Sequence, residues 1–372
     1  MTRCDHDSQQ RLDSRDRKRA RRQPAGALFG AIRSITCADG WLTIRGWVAS
    51  ANAIRITGFR VACAHVNLRR VSWRYGVSDR DAKKRIGIAN CGFEIRARMK
   101  EAGDTRFGSL VCVTPMIGSR GRWTMFAVWR PSIPRPPRKE WALVGSSFLQ
   151  EACVALGLLV NYASLERSDS ILDVGCGVGR VAYVLAYYLR ATGRYEGLEP
   201  IRRWVRWNRA VLNGRFPRFH FTELPVFNAL YNPTGWVSGN RLRFPCPDSS
   251  FDVASVLSVF QHNRAAVVRN YLGEIARVLR PGGRVVITCF LLDATPPVRA
   301  LRDDGVEFVH PLPDCGWTAT PELPERGIAF LFSDFCRWVA HCGLSISERI
   351  EGRWRGCTAT PFFQDIVVLE KA

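Results

Sequence analysis

The sequence predicts an α/β protein: a doubly wound, mostly parallel sheet preceded by a smaller all-β domain. From residue 171 onward, short apolar runs alternate with amphipathic helical patterns, as in successive βαβ units. The first of these, residues 171–181 (ILDVGCGVGRV), places glycines at alternate positions between an apolar run and a helical pattern. That reads as strand, tight turn and helix. Before residue 131 the chain shows brief strand patterns separated by turn residues, without a helical period.

A length of 372 residues suits two domains. Residues 1–24 are polar and charged without periodicity, and are expected to be a disordered basic tail. Residues 25–130 carry strand patterns at 41–48, 54–64, 93–98, 110–118 and 123–129, which predict a small antiparallel sandwich. Trp41, Trp47, Trp73 and Tyr75 could form a sugar-stacking surface, but are read first as core. Residues 131–140 (PSIPRPPRKE) hold four prolines and read as a stiff linker at the domain boundary. In residues 141–372 a helical region at 141–165 leads into the glycine turn. Strands follow at 195–200, 219–224, 251–260, 284–292, 344–351 and 364–371, with helices at 201–212, 271–280 and 330–343.

Composition bounds the function. With 47% hydrophobic residues the chain can bury a sizeable core. No apolar run approaches the ~18 residues of a membrane span, and the N-terminus has no signal-peptide pattern. A cytoplasmic protein is expected. The thirteen cysteines are scattered, with neither CxxC pairs nor zinc-ligand spacing, and suit small buried thiols in a reducing compartment. No metal site is expected; Asp293, Asp303 and Asp304 form no ligand set. The net charge of +21 raises the question of a nucleic-acid or other anionic partner. Forty-eight of the 54 basic residues are arginines spread along the chain, and only residues 15–22 form a dense run. Nucleic-acid binding is therefore not the favoured reading, and oligomeric state is left open.

In a doubly wound sheet, ligands bind beyond the carboxyl ends of the strands. Asp173 ends the first strand, and the glycine turn follows it. Glu199 ends the second strand, 20 residues beyond Gly179. A carboxylate at that spacing suits ribose hydroxyls, so a nucleoside-bearing cofactor is expected. The turn reads G-x-G-x-G rather than G-x-G-x-x-G, and the chain has no G-x-x-x-x-G-K-[ST].

These residues resemble the class I S-adenosylmethionine-dependent methyltransferases. The match comprises ILDVGCGVG, Glu199, the fourth-strand segment at 244–262 (FPCPDSSFDVASVLSVFQH) and EIARVLRPGGRVVIT at 274–288. The resemblance implies a seven-stranded Rossmann-like sheet and S-adenosylmethionine as cofactor. It places Asp173, Gly175, Cys176, Gly177 and Gly179 around the cofactor, Glu199 on its ribose, and Leu242 and Ser258 close by. Cys176 is read first as packing beneath the turn. The long loop at 224–244 and the segment at 352–369 resemble a bacterial subgroup associated with polysaccharide and glycoconjugate genes. Gly46-Trp47, residues 75–85 (YGVSDRDAKKR) and Cys91-Gly92-Phe93 resemble a β-sandwich module fused to such enzymes.

The loop should build an acceptor wall, with a sugar, glycan or related small molecule as acceptor. Methyl transfer from a sulfonium is dominated by positioning, but a hydroxyl acceptor gains from a base. His262, after the fourth strand, is the candidate base, with a loop histidine free of chemistry as the competing reading. Glu223 is a weaker candidate; His220, His310 and His341 read as structural. Two other functions stay open: methylation of RNA or another anionic acceptor, and a non-catalytic binding protein of the same fold.

Overall fold

The structure, a computed structural model, describes residues 28–49, 56–64, 66–80, 82–83, 88, 90–102, 108–118, 120–121, 123–141, 147–294, 307–355, 360 and 362–372. The basic tail, Asp303 and Asp304 lie outside these residues.

The first half forms β1 (Phe29–Ala38), β2 (Trp41–Ala49), β3 (Gly58–Cys63), β4 (Val66–Val77), β5 (Gly92–Ala102), β6 (Ser109–Ile117), β7 (Arg120–Gly121) and β8 (Met125–Trp129). All belong to one antiparallel sheet in the order β1-β2-β5-β4-β3-β6-β7, with β8 also on β6. Strand alternation sends Leu42, Ile44, Val48, Phe93, Ile95, Val111 and Val113 into one core. The expected two-sheet sandwich is thus corrected to a single curled sheet, whose strands β1 and β8 lie beside each other. The ladder between β4 and β5 shifts register at three places, and Arg70 has φ 50°. Such bulges bend and twist a sheet, and they hide β4 from a search for strict alternation. The four aromatic residues do not share a face: Trp47 is 2% exposed, whereas Trp73 is 41% exposed.

Residues 131–137 are irregular but held down. Ile133 is buried, and the N–H groups of Ser132 and Ile133 both donate to the Tyr187 hydroxyl at 3.1 Å. Tyr183 donates its own hydroxyl to the Ile133 carbonyl at 2.6 Å. This stretch is strapped to the second half of the chain.

That half contains β9 (Ser170–Val174), β10 (Arg194–Glu199), β11 (Phe219–Glu223), β12 (Phe251–Val256), β13 (Leu279–Leu292), β14 (His310–Leu312), β15 (Gly316–Thr318), β16 (Ile328–Leu331), β17 (Leu344–Ile350) and β18 (Asp365–Lys371). Strands β11-β10-β9-β12-β13 run parallel; β18 pairs antiparallel with β13, and β17 with β18. The far end of β13 adds β16, β15 and β14. The sheet therefore has ten strands and is mixed, where seven mostly parallel ones were expected. Two of the additions have only three residues each, too few for a periodic signal. The central strands are covered on both faces, with Ile171, Leu172, Ala254, Val285, Val286 and Ile287 fully buried.

Besides a single turn at Arg138–Trp141, the helices among the described residues are α1 (Phe148–Tyr162), α2 (Arg180–Tyr188), α3 (Arg202–Asn208), α4 (Ala265–Val278) and α5 (Phe332–His341). Ser147 caps α1, accepting from Gln150 N–H. Helix α1 lies between the two sheets. Its Asn161 accepts from Thr124 N–H at 2.8 Å and donates to the Thr124 carbonyl at 3.0 Å.

Candidate active site

The carboxyl ends of β9, β10 and β12 open into a cavity of about 1080 Å³. Parallel pairing sets Asp173 opposite Gly197 and Ser255. Asp173 is 2% exposed; its two oxygens accept from the Ser255 and Tyr195 hydroxyls, each at 2.7 Å. Burial pushes its pKa up to about 6, opposed by those hydrogen bonds.

The glycine turn is pinned to β10, because Gly175 and Cys176 N–H both donate to the Leu198 carbonyl. Gly175, Gly177 and Gly179 have φ of 72°, 56° and 78°, the left-handed region that glycine adopts without strain. Their surroundings differ. A Cβ on Gly175 would stand 2.5 Å from Val259 Cγ2, and one on Gly179 2.3 Å from Asn208 Oδ1. At Gly177 it would meet nothing within 4 Å, so this residue presents bare backbone to the cavity. Gly179 caps α2 and lies behind the lining.

Glu199 is 3% exposed and braces the turn: one carboxylate oxygen accepts from Gly177 N–H at 2.8 Å, the other from Ile201 N–H at 2.9 Å. Each oxygen keeps a second lone pair. Burial raises the Glu199 pKa to about 7, against the lowering effect of those two N–H groups. Cys176 packs behind the turn, with Sγ 2.8 Å from where a Gly197 Cβ would stand, and burial drives its thiol well above the ordinary value. It is poorly placed as a nucleophile.

Ser258 lines the cavity at φ 59°, its N–H donating to Thr288 Oγ1 and its hydroxyl to Gln364 Oε1. Leu242 does not reach the cavity. It packs in the core with Phe244 and Tyr271, because the turn at Gly239–Arg241 sits against α4 and carries the next residue inward.

Strand β12 stops at Val256, short of the expected residue 260, and a 3-10 turn at Phe260–His262 follows. His262 Nδ1 lies 2.7 Å from the Glu325 carbonyl. A carbonyl only accepts, so Nδ1 carries the proton and Nε2 is left as an acceptor. Near Nε2 stand the Tyr231 hydroxyl at 3.3 Å and Gln261 Nε2 at 3.2 Å. Burial lowers the His262 pKa, which keeps the ring neutral at pH 7. Glu223 lies outside the cavity lining, 3.7 Å from Arg202. His220, His310 and His341 are exposed and do not line the cavity.

Other contributors have weaker sequence signals. Asn208 is fully buried and donates to the Gly177 carbonyl at 2.8 Å. Its available signal is a polar residue inside the apolar stripe Trp204, Val205, Val211 and Leu212. Tyr231 and Asn228 come from the loop expected to wall the acceptor site. Trp123 and Trp47 reach the lining from the first sheet and Phe362 from the segment before β18.

These residues fit a nucleoside-bearing methyl donor: an open glycine backbone, a buried carboxylate on the neighbouring strand and a cavity with further room. Residues 172–287 match the family described as Methyltransferase domain. The 27-O-demethylrifamycin SV methyltransferase of Amycolatopsis mediterranei (strain S699) is 31% identical over 156 residues, covering 41% of this chain and 50% of that protein. A sterol 24-C-methyltransferase of Neurospora crassa is 29% identical over 139 residues, 37% of this chain and 32% of that protein. The chloroplastic 2-phytyl-1,4-beta-naphthoquinone methyltransferase of Arabidopsis thaliana is 27% identical over 139 residues, 36% and 46% of the two chains. The chain thus spans half or less of the length of these relatives. Among solved structures, the PH0226 protein from Pyrococcus horikoshii OT3 is 13% identical, with a TM-score of 0.44 over 63% of this chain and 96% of that one. Residues 172–287 therefore form a methyltransferase domain, with S-adenosylmethionine as its cofactor.

Proposed function

We propose that the whole chain is an S-adenosylmethionine-dependent methyltransferase acting on a hydroxyl oxygen of a small, ring-bearing acceptor with a largely apolar body. The observation that carries this reading is the position of His262, whose unprotonated Nε2 belongs to the same cavity as the glycine turn and Glu199.

In this reading Gly175 and Gly177 line the methionine side of the cofactor and Glu199 takes the ribose hydroxyls. Asp173, held by Ser255 and Tyr195, keeps the start of the turn in place. Ser258 lies beside them, while Gly179 and Cys176 serve the turn's packing. The bound cofactor supplies an electrophilic methyl group on a sulfonium. His262 then accepts the acceptor's hydroxyl proton at Nε2, and the Glu325 carbonyl steadies the positive ring that results. Tyr231 fixes the acceptor beside the base.

The acceptor follows from the walls. Val226, Leu257, Val259, Phe290, Trp123 and Phe362 offer mainly apolar and aromatic surface. The names of the relatives, with their sterol and phytyl-naphthoquinone acceptors, point the same way. A sugar or glycan, the narrower expectation from the sequence, is our second reading. The aromatic rings suit sugar faces, and Asn228, Asn263, Thr288 and Gln364 of the same lining offer polar groups to its hydroxyls. We take residues 25–130 as a β unit that lends Trp47 and Trp123 to the wall, and residues 141–372 as the methyltransferase unit.

Calorimetric titration with S-adenosylhomocysteine tests the cofactor reading, and micromolar binding is expected. No binding by folded protein would sink the enzyme. Turnover of a panel of hydroxylated polycycles, prenylated quinols and sugars then ranks the acceptors. Activity confined to sugars would replace the apolar reading.

A further inference from the structure

We propose that the face formed by the 224–243 loop and helix α3 docks on an anionic lipid bilayer, with the cavity mouth beside it. The proposal rests on the reading above that the acceptor has an apolar body, and it names where such an acceptor is met.

The loop has two sides. On the inner side Val226, Asn228 and Tyr231 line the cavity. On the outer side Trp236 is 82% exposed and Phe227 is 51% exposed. Backbone bonds from Phe227 N–H to the Val237 carbonyl and from Trp236 N–H to the Pro225 carbonyl hold the two segments together. The two large apolar residues therefore stand at one tip. Adjoining exposed apolar side chains rimmed by polar residues are the kind of patch that marks an interaction site.

The rim here is basic. A shallow groove is shared by Trp236, Pro233 and Tyr231 of the loop with Arg202 and Arg203 of α3 and one carboxylate, Glu223. Tyr231 and Pro200 line both this groove and the cavity, so the aromatic tip adjoins the mouth. Between Glu199 and Asp248 the chain holds one acidic residue, Glu223, against eight arginines. Arg202 pairs with Glu223 at 3.7 Å and Arg203 with Glu140 at 3.0 Å, yet both side chains stay about two-thirds exposed. Arg206, one helical turn beyond Arg202, is exposed and forms no ion pair among the described residues. Basic side chains thus outnumber acidic ones along this stretch, and two of them, Arg202 and Arg203, line the groove itself.

Aromatic side chains flanked by arginines suit the headgroup region of an anionic membrane: the rings insert at the acyl boundary and the guanidinium groups meet lipid phosphates. An acceptor with an apolar body concentrates in such a membrane. No helix among the described residues is long and apolar enough to cross it. A single-stranded nucleic acid could also stack on Trp236, and the test separates the two.

The full chain is sedimented with vesicles of phosphatidylcholine alone, and with vesicles containing one third phosphatidylglycerol, at physiological salt. Binding is expected only to the second. The Phe227→Ser/Trp236→Ser double variant and the Arg202→Glu/Arg206→Glu double variant should each lower the partition about tenfold or more. Titration with S-adenosylhomocysteine, whose affinity should not change, confirms that both variants are folded. The proposal is overturned if wild type ignores anionic vesicles or if both variants partition like wild type. It is also overturned if a single-stranded oligonucleotide, and no vesicle, binds in a Trp236-dependent way. Because vesicle binding needs no cofactor, loss of S-adenosylhomocysteine binding with vesicle binding intact would remove the enzyme reading and leave this surface standing.

Discussion

At the level of single residues, Gly177 and Gly179 share a left-handed backbone but differ in what an added methyl would strike. Gly179→Ala places Cβ against Asn208 and should destabilise the fold by about 2–4 kcal/mol, from overpacking and backbone strain together. Gly177→Ala meets open space, so it should cost only about 1 kcal/mol in stability while weakening S-adenosylhomocysteine binding by more than tenfold. Thermal unfolding and calorimetry on the two variants check this. Equal melting points with equal affinities would show that neither glycine acts as argued. Glu199 brings a pH dependence. Its folded pKa, raised to about 7 by burial, means that the group takes up its charge only as pH rises through neutrality. Ribose hydroxyls donate best to the ionised form, so cofactor affinity should increase from pH 6 to pH 8 and then level off. Glu199→Gln should flatten that profile and weaken binding roughly ten- to hundredfold, the loss of a hydrogen bond to a charged group. For the apo protein the sign is opposite. Between the unfolded pKa and about 7 the folded state holds a proton that the unfolded chain has released, so this group's contribution to stability is lost as pH rises.

His262 is likewise read through its protonation state. Burial lowers its pKa, so the acid limb of kcat/KM should fall below the ordinary histidine range, with a plateau at neutral pH. His262→Ala should reduce kcat by about 10²- to 10⁴-fold and remove that limb. An unchanged kcat, with chemistry shown to limit turnover, would remove the histidine from the mechanism.

Among the elements, α1 carries the most consequential joint. Asn161 satisfies both the N–H and the carbonyl of Thr124, in the segment entering β8. Trp123, the residue before, packs edge-on against Tyr162 of the same helix and against Phe29 of β1. Replacing Asn161 by Ala leaves two backbone groups without these partners and should cost about 1–3 kcal/mol. Because Trp123 also lines the cavity, the same change should raise the acceptor's KM more than it lowers kcat. Steady-state kinetics separates the two effects; a drop in kcat alone would place Trp123 outside the acceptor wall. The loop before β12 works in a comparable way. Asn228 donates to the His262 carbonyl at 2.8 Å and its own side-chain oxygen accepts from Leu230 and Tyr231 N–H, so one side chain sets both the base and its aromatic neighbour.

For the whole molecule, the two sheets do not stand apart. The main core joins Leu110 and Phe126 of the first sheet to α1, α2 and β9, and Ile133 packs between them. One cooperative calorimetric transition is therefore expected, and cofactor should raise its midpoint. Two separable transitions, only one of them shifted by S-adenosylhomocysteine, would mean that the sheets fold independently. The charge acts at this scale too. Arginines that only decorate the surface give weak, salt-sensitive binding to any polyanion, whereas the basic face beside Trp236 predicts lipid binding that survives physiological salt.

The sequence by itself determined what repeats along the chain or depends on neighbours a few residues apart. Alternating apolar runs predicted the α/β half, the turn at Gly175, Gly177 and Gly179 with Glu199 20 residues beyond pointed to a nucleoside-bearing ligand, and the position of His262 after the fourth strand made it a candidate. These signals are local because a strand, its turn and the next helix are contiguous. Tertiary structure decided what depends on distant partners. Gly179 faces Asn208 and Leu242 turns into the core because α3 and α4 pack where they do. Ser255 and Tyr195 meet on Asp173 only through parallel strand pairing. The tautomer of His262 is set by the carbonyl of Glu325, 63 residues away, and a backbone oxygen leaves no mark in a sequence. Strands β14 to β16 and the curl of the first sheet escaped for the same reason. Short strands and bulged ladders have little periodicity of their own, and only pairing with distant strands makes them regular.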